Sequence, residues 1–414
     1  MIIRRITRDE LKRTEELFSI SFEFPYDNSK SAEDVVNETI KNPKGREDFY
    51  WDQRWAAFLD DNKTMTSYFI DKPYPMNFDG KTYVSTGIGG VATLPQYRRK
   101  GGIRLCFEKA LGEWYKNGVC LSYLYPFSYS YYRKFGYEMG VECYAYDWLP
   151  SFFPKSFNSK GSCYLVDGIE VSLDDALKDV KSVYSKWQHK YNSMIVNEDF
   201  EYAWVKKSNP CKDQVFTYIY RNENIEATAY ISFKEVTEES GRNLITSRLI
   251  FNDCDGLRGI LDLIGSLRSD HKHFKFELPM DIYINDLLPE WAMGGGNISI
   301  SRKGMARVVN VEEILKNAIY KGSGEVTLDI TDPYIPENTH VFAVTFKDNK
   351  ATKVEIKDNT KADAKMPINL FTRLIMGFCD ISSFQYLNNL EVNGNLEDLL
   401  KVFYKKPSFI TEYF

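Results

Sequence analysis

Along the first 150 residues, apolar and polar positions alternate between a helical period and a period of two. "RDELKRTEELFSISF" spaces its apolar residues as a helix does, "RWAAFLD" and "TMTSYFID" read as strands, and "NFDGK" supplies an Asp79–Gly80 hairpin turn into "TYVSTGIGGVATL". In that last strand Val84, Thr86 and Ile88 share one face, and the period then breaks at Gly89 and Gly90. A glycine pair inside a strand marks a bulge or a close backbone approach. Further on, Ile103, Cys106, Phe107, Ala110, Leu111, Trp114 and Tyr115 fall on one helical face, and Gly118 stops the helix. "VCLSYLY" is almost continuously apolar, the pattern of a strand buried on both faces in a parallel pairing.

From 151 to 305 a similar order returns. A helix in "DALKDVKSVYSKWQHKY" precedes strands in "QVFTYIYRN" and "EATAYISF" around a turn at Asn222 to Asn224. "ITSRLIF", "GLRGILDLIGSL" and "HFKFEL" then read as strand, helix and strand. The element order suggests a degenerate internal repeat. A third unit, 306–414, begins with "MARVVNVEEILKNAI" and places strands in "EVTLDITD", "HVFAVTF" and "TKVEIKD" before helices in "INLFTRLIMG" and "EDLLKVFY". Strands followed by helices predict an α+β domain, so the whole chain is expected to be mixed α/β and α+β with three domains, 1–150, 151–305 and 306–414.

Length agrees with that division, since 414 residues exceed one ordinary core of about 100 to 200 residues. The excess in composition is aromatic, with 28 Tyr and 27 Phe, which implies large rigid surfaces in cores and pockets. A formal charge of -5 leaves no basic footprint, so no nucleic-acid partner is expected. Seven cysteines form an odd number without a CxxC pair, which suits a reducing compartment. "MIIRRITRDELKR" turns charged before a signal peptide could form, and no apolar run of about 20 residues follows. No membrane span and a cytoplasmic location are expected. His271 and His273 could share one face of a strand, but nothing nearby completes a metal site, and the pair reads as an exposed strand end.

The strongest chemical signal is "VATLPQYRRKGGIR", residues 91 to 104. A strand ends, basic residues follow, and glycine stands where a helix begins, leaving main-chain donors free at the positive end of the helix dipole. That arrangement is an anion site. Gly101 would let the backbone approach a pyrophosphate, with charge added by Arg98 and Arg99. A solvated basic turn is the simpler alternative for any lone RRxG. The glycine-broken strand before the loop, the amphipathic helix after it and the buried strand beyond favour the anion site.

The strand, "YRRKGGIR" loop and helix resemble the acetyl-CoA motif of the GCN5-related N-acetyltransferases. With "YSYYRKFGYEMG" the resemblance narrows to the enhanced intracellular survival (Eis) family. It implies two tandem acetyltransferase-like domains followed by a sterol-carrier-like domain, acetyl-CoA as cosubstrate, no metal, and assembly as a homo-oligomer, a hexamer. By that resemblance Val91, Ala92 and Thr93 would bond the pantetheine through their backbone. Arg98, Arg99, Lys100, Gly101, Gly102, Ile103 and Arg104 would cradle the pyrophosphate, and Phe127 and Ser128 would flank the cofactor. Tyr132 would be the general acid, with a core tyrosine as its alternative among Tyr129, Tyr131 and Tyr137. "PFSYS" is bulky and uncharged where the family tends to be small and acidic.

In the second repeat the comparable junction, "IFNDCDGLRG", puts Asp253 and Asp255 where an anion would sit, so one cofactor per chain is expected. The sequence finishes on "PSFITEYF", two rings beside a carboxylate. Either these rings cap a core, or, as the resemblance implies, the carboxylate of Phe414 enters the active site as general base. The expected activity is acetyl transfer to a primary amine, on a small molecule or a peptide, of aminoglycoside, polyamine or lysine type. A lipid- or CoA-binding protein without turnover and a transferase of a larger acyl group stand as alternatives.

Overall fold

The structure, a computed structural model, describes residues 1–41, 51–196, 202–239, 241–288, 296–384, 386 and 389–413. The chain forms two compact units, one of residues 1–140, 304–406 and 413–414, the other of 141–303 and 407–412.

In the first unit β1 (Ile2–Arg5), β2 (Arg54–Phe58), β3 (Met65–Phe78) and β4 (Lys81–Thr93) are successive antiparallel neighbours. Helices α1 (Leu11–Phe22) and α2 (Ala32–Lys41) lie between β1 and β2 in sequence. The β3–β4 hairpin turns at Asp79 (φ 50°) and Gly80 (φ 81°), the two left-handed positions that its two-residue turn requires. A crossover through α3 (Gly102–Lys116) brings β5 (Leu121–Leu124) parallel to β4, and all four β5 residues are buried. The predicted apolar face of α3 packs on this sheet, with Phe107 stacked between Phe69 at 4.7 Å and Phe135 at 4.5 Å. Tyr115, predicted on the same face, is only half-buried. After β5 comes the short helix α4 (Tyr129–Arg133).

The second unit begins within β6 (Glu138–Trp148) and continues through β7 (Ser162–Leu165) and α5 (Leu173–Lys190). Short helices α6 (Ala203–Lys206) and α7 (Pro210–Asp213) precede β8 (Val215–Arg221), β9 (Ala227–Glu238) and β10 (Gly241–Phe251). Helix α8 (Cys254–Ser266) then joins β10 to the parallel strand β11 (His273–Pro279). A hairpin followed by a helical crossover to a parallel strand repeats the β3–β4–α3–β5 order. His271, read as an exposed strand end, is instead buried at 4% exposure, because the turn after α8 folds its Nδ1 to within 3.1 Å of the Leu267 carbonyl.

Strand β12 (Gly296–Val308) gives Gly296–Lys303 to the second unit and Gly304–Val308 to the first, where the latter stretch pairs antiparallel with β5. The boundary read at 305 therefore falls inside a strand, since "MARVV" ends β12 rather than starting a new element. After α9 (Val311–Asn317) come β13 (Gly324–Thr331), β14 (His340–Lys347), β15 (Lys350–Ile356), β16 (Ala364–Pro367) and β17 (Glu391–Val392). They form a five-stranded sheet in the order β15-β14-β13-β16-β17. Helices α10 (Ile368–Ile375) and α11 (Leu396–Val402) accompany it. Among the described residues, no helix is long and apolar enough to cross a membrane.

Candidate active site

The site begins at the end of β4. Its parallel pairing with β5 stops at Ile88 and Leu124, whereas β4 runs on to Thr93. Between Ile70 and Tyr68 the β3–β4 register shifts by one extra residue on β4, and Gly90 takes φ 58° there. The glycine pair is thus a β-bulge that twists β4 away from β5. Beyond Ile88 no strand among the described residues pairs with the edge of β4 that faced β5, which leaves it for an extended chain to add along Val91, Ala92 and Thr93. Their side chains serve the fold: Val91 packs on the α3 core, Ala92 is buried on the opposite face, and the Thr93 hydroxyl donates to Ser67 Oγ at 3.1 Å.

Helix α3 starts where the strands splay. Gly101 is its N-cap at φ 85°, a conformation that a side chain disfavours, and the first helical bond runs from Leu105 N–H to the Gly101 carbonyl at 3.0 Å. The N–H groups of Gly102, Ile103 and Arg104 therefore leave the helix end without an intrahelical acceptor. The two glycines differ in their reasons. A Cβ on Gly101 would meet only the Arg104 guanidinium, at 3.6 Å, so backbone angle is what that position demands. A Cβ on Gly102 would come within 2.7 Å of Ser67 Oγ and 3.3 Å of Ala57, so Gly102 seats the helix on β2 and β3. The Ile103 side chain is likewise core, leaving its N–H as the only group it could offer a ligand.

Around this helix end Arg98, Arg99, Lys100 and Arg104 are exposed. Lys100 lies over the Tyr97 ring at 5.1 Å, and Arg104 pairs with Glu108 at 3.4 Å. Among the described residues Arg98 and Arg99 have no acidic partner, and Arg99 holds φ 63°. Open main-chain donors beside unpaired cations fit a pyrophosphate, and the free strand edge fits the amide-bearing arm attached to it.

On the β5 side, Phe127 stands exposed and Ser128 precedes α4, its Oγ 3.1 Å from that of Ser130. Tyr132 in α4 is buried at 2% exposure, edge-on to Phe107 at 6.2 Å and Phe127 at 5.4 Å. Among the described residues its hydroxyl has no hydrogen-bond partner. Burial, then Tyr131 and Tyr137, push that phenol well above its ordinary pKa. It is held protonated at neutral pH, as a donor must be. Beside it Arg133 grips Glu138 through Nε at 3.0 Å and Nη2 at 2.7 Å, and Asn369 of α10 donates to the same carboxylate at 3.1 Å. Burial raises the Glu138 carboxyl, but those donors and the Met139 N–H outweigh it and hold the pKa below the usual range.

Phe414 lies outside the described residues. Its neighbour Tyr413 does not, and its ring stacks on Tyr125, one residue past β5, with centroids 4.4 Å apart. Sequence reading missed Tyr125, though it closes the "LSYLY" run. It also missed Arg307, whose only local signal is a lone arginine in the apolar "MARVV". A cleft of about 210 Å³ lined by Arg5, Asp71, Thr86, Trp114 and Val119 lies at the other end of β5. Of the carboxylates that line it, Asp71 already accepts from Arg5, Trp55 and Trp114, so that cluster is structural.

A splayed parallel pair, a bulge on its first strand and a crossover helix with an open N-terminus belong here to an acyltransferase domain. The family model for the acetyltransferase (GNAT) domain matches residues 2–140, and that for the sterol carrier protein domain matches residues 311–410. The chain is thus an acyltransferase built on a GNAT domain, with a sterol-carrier-like domain at its C-terminus. No curated protein matches it. Among solved structures, a probable N-acyltransferase from Enterococcus faecalis V583 is 21% identical with a TM-score of 0.82, covering 100% of this chain and 99% of that one. A GCN5-related N-acetyltransferase from Anabaena variabilis ATCC 29413 (16%, TM-score 0.80) and Eis1 from Mycobacterium abscessus (14%, TM-score 0.78) each cover 100% of both chains. At these identities the likeness establishes the shared fold.

Proposed function

We propose that this chain is an N-acetyltransferase that moves the acetyl group of acetyl-CoA to a primary amine of aminoglycoside, polyamine or lysine type. The observation that carries the reading is one convergence: the free edge of β4, the open end of α3, Tyr132 and the Tyr125–Tyr413 stack all gather where β4 and β5 part. Acetyl-CoA, when bound, supplies an acyl group on a thiolate leaving group. In this reading the N–H groups of Gly102, Ile103 and Arg104, with Arg98, Arg99 and Lys100, hold the pyrophosphate. The backbone of Val91, Ala92 and Thr93 holds the pantetheine arm, and Phe127 and Ser128 flank it. Tyr132 keeps a proton for the leaving sulfur. A phenol of pKa near or above about 10 gives it to a thiolate of conjugate pKa about 8.5 only as the C–S bond breaks. The carboxylate of Phe414 takes the proton that the amine sheds as the N–C bond forms.

A buried Tyr132 also suits a second reading, in which the first domain binds CoA without turnover and the C-terminal domain holds an apolar ligand. Release of CoA thiol on incubation with mixed polyamines and aminoglycosides separates the two. Thiol release that depends on amine supports the transferase. CoA binding with no amine-dependent release from any acceptor supports the binding protein.

A further inference from the structure

We propose that Arg307 is a positioning residue for Tyr132, and that the C-terminal domain aims the proton donor through the Arg307–Asp332 pair. The inference rests on the reading of Tyr132 as the acid. Helix α4 has five residues, too few to hold its own place. It ends in a Schellman motif: Tyr137 N–H donates to the carbonyl of Tyr132 itself at 3.4 Å, and Gly136 N–H to that of Arg133 at 3.0 Å. The Tyr132 hydroxyl has no partner among the described residues, so its place is set by the packing of its ring and by where the backbone of α4 sits.

That backbone rests on Arg307. From β12, paired with Ser122 of β5, its Nε donates to the Phe135 carbonyl at 2.7 Å and its Nη1 to Val308 O at 2.8 Å. Its Nη2 meets both oxygens of Asp332, at 2.8 and 3.0 Å. Asp332 in turn is fixed by the N–H of Tyr334 at 3.0 Å and Asn338 Nδ2 at 2.9 Å. Gly136, at φ 82°, leaves the room: a Cβ there would stand 2.9 Å from Arg307 Nε and 2.9 Å from Ile368 Cγ2. Both charged side chains are fully excluded from solvent. A buried ion pair adds little stability over an apolar pair of the same shape. What it supplies here is direction, because a planar guanidinium with all three nitrogens engaged restricts the placement of the Phe135 carbonyl.

The test compares kcat, acetyl-CoA affinity and thermal midpoint of the full chain for wild type, Arg307→Lys, Asp332→Asn, Tyr132→Phe and the double variant Arg307→Lys with Tyr132→Phe. Lysine keeps a charge for Asp332 but loses the Nε donor to Phe135. The expected result is a loss in kcat of up to about 10²-fold with acetyl-CoA affinity within about two-fold of wild type, as misplacement of one group predicts. In the Tyr132→Phe background Arg307→Lys should cost little more, because its effect passes through that hydroxyl. Unchanged kcat in a folded Arg307→Lys, or an undiminished loss in the Tyr132→Phe background, overturns the proposal. If Arg307→Lys fails to fold, the isosteric Asp332→Asn decides by the same measurements. Failure of both to fold would assign the pair to stability alone and overturn the proposal too. Full turnover in Tyr132→Phe would instead remove the catalytic reading beneath it, an outcome visible without any change at Arg307.

Discussion

The Tyr413 ring lies 4.4 Å from that of Tyr125 and 27° from parallel, although Tyr413 remains 66% exposed. Burial alone therefore does not hold this ring in place, and a stack worth about 0.5–1.5 kcal/mol contributes to ordering it one residue past the end of β5. A ring that capped a core would be buried; this one is exposed and rests on Tyr125.

Adding Gly-Ser-Gly after Phe414 should convert its carboxylate to an amide and lower kcat by about 10²- to 10⁴-fold, the usual range for a lost general base. Acetyl-CoA affinity should stay near wild type, since the helix end and β4 edge are untouched. Steady-state kinetics at saturating amine checks this, and full turnover in a folded extended protein would leave the last residues as packing.

The two glycines at the helix start should separate under substitution. Gly102→Ala forces a methyl against Ser67 and should cost about 1–3 kcal/mol of stability along with acetyl-CoA affinity. Arg99→Ala should weaken acetyl-CoA binding with little change in thermal midpoint, because Arg99 is exposed and, among the described residues, has no acidic partner. Calorimetric titration of both folded variants is the measurement. Equal affinities in Arg99→Ala and wild type would remove that residue from the anion site.

A tight CoA ligand should saturate at one per chain. At the start of α8 Asp253 accepts from Gly256 N–H at 2.7 Å, and Asp255 accepts from Tyr220 at 2.6 Å. The helix end in the second unit is thus filled by the chain's own carboxylates, which repel a pyrophosphate. Two equivalent sites in a stoichiometric titration would contradict this.

Glu138 should make stability acid-sensitive. Its folded pKa is depressed below the ordinary 4.5. The unfolded chain therefore binds more protons below that value, and the carboxylate's contribution is lost as pH falls through the folded pKa. Glu138→Gln should cost about 1.5–3 kcal/mol above pH 4.5, as lost charge-assisted bonds do, and progressively less in more acid solution. Urea unfolding across that range reads the difference, and a gap that ignores pH would show that Glu138 titrates normally.

Much of the fold was legible because period and punctuation are local. The alternation through β4, its break at Gly89 and Gly90, the apolar face of α3 and the buried run of β5 each follow from a dozen neighbouring residues, and with them the glycine at which α3 begins after the basic loop. Phe414 was singled out from the sequence but lies outside the described residues. What the sequence could not supply was partnership. A period of two marks "MARVV" as strand, yet only the tertiary structure inserts it beside β5 and sets Arg307 under the Phe135 carbonyl, 172 positions away. Likewise a tyrosine at 125 and another at 413 are ordinary aromatic residues until the fold stacks them. Local pattern determines how a segment wants to run and which face it must bury. Which distant segment meets that face is decided by tertiary pairing, and it is there that Arg307 comes to lie under the turn after α4 and Tyr413 on Tyr125.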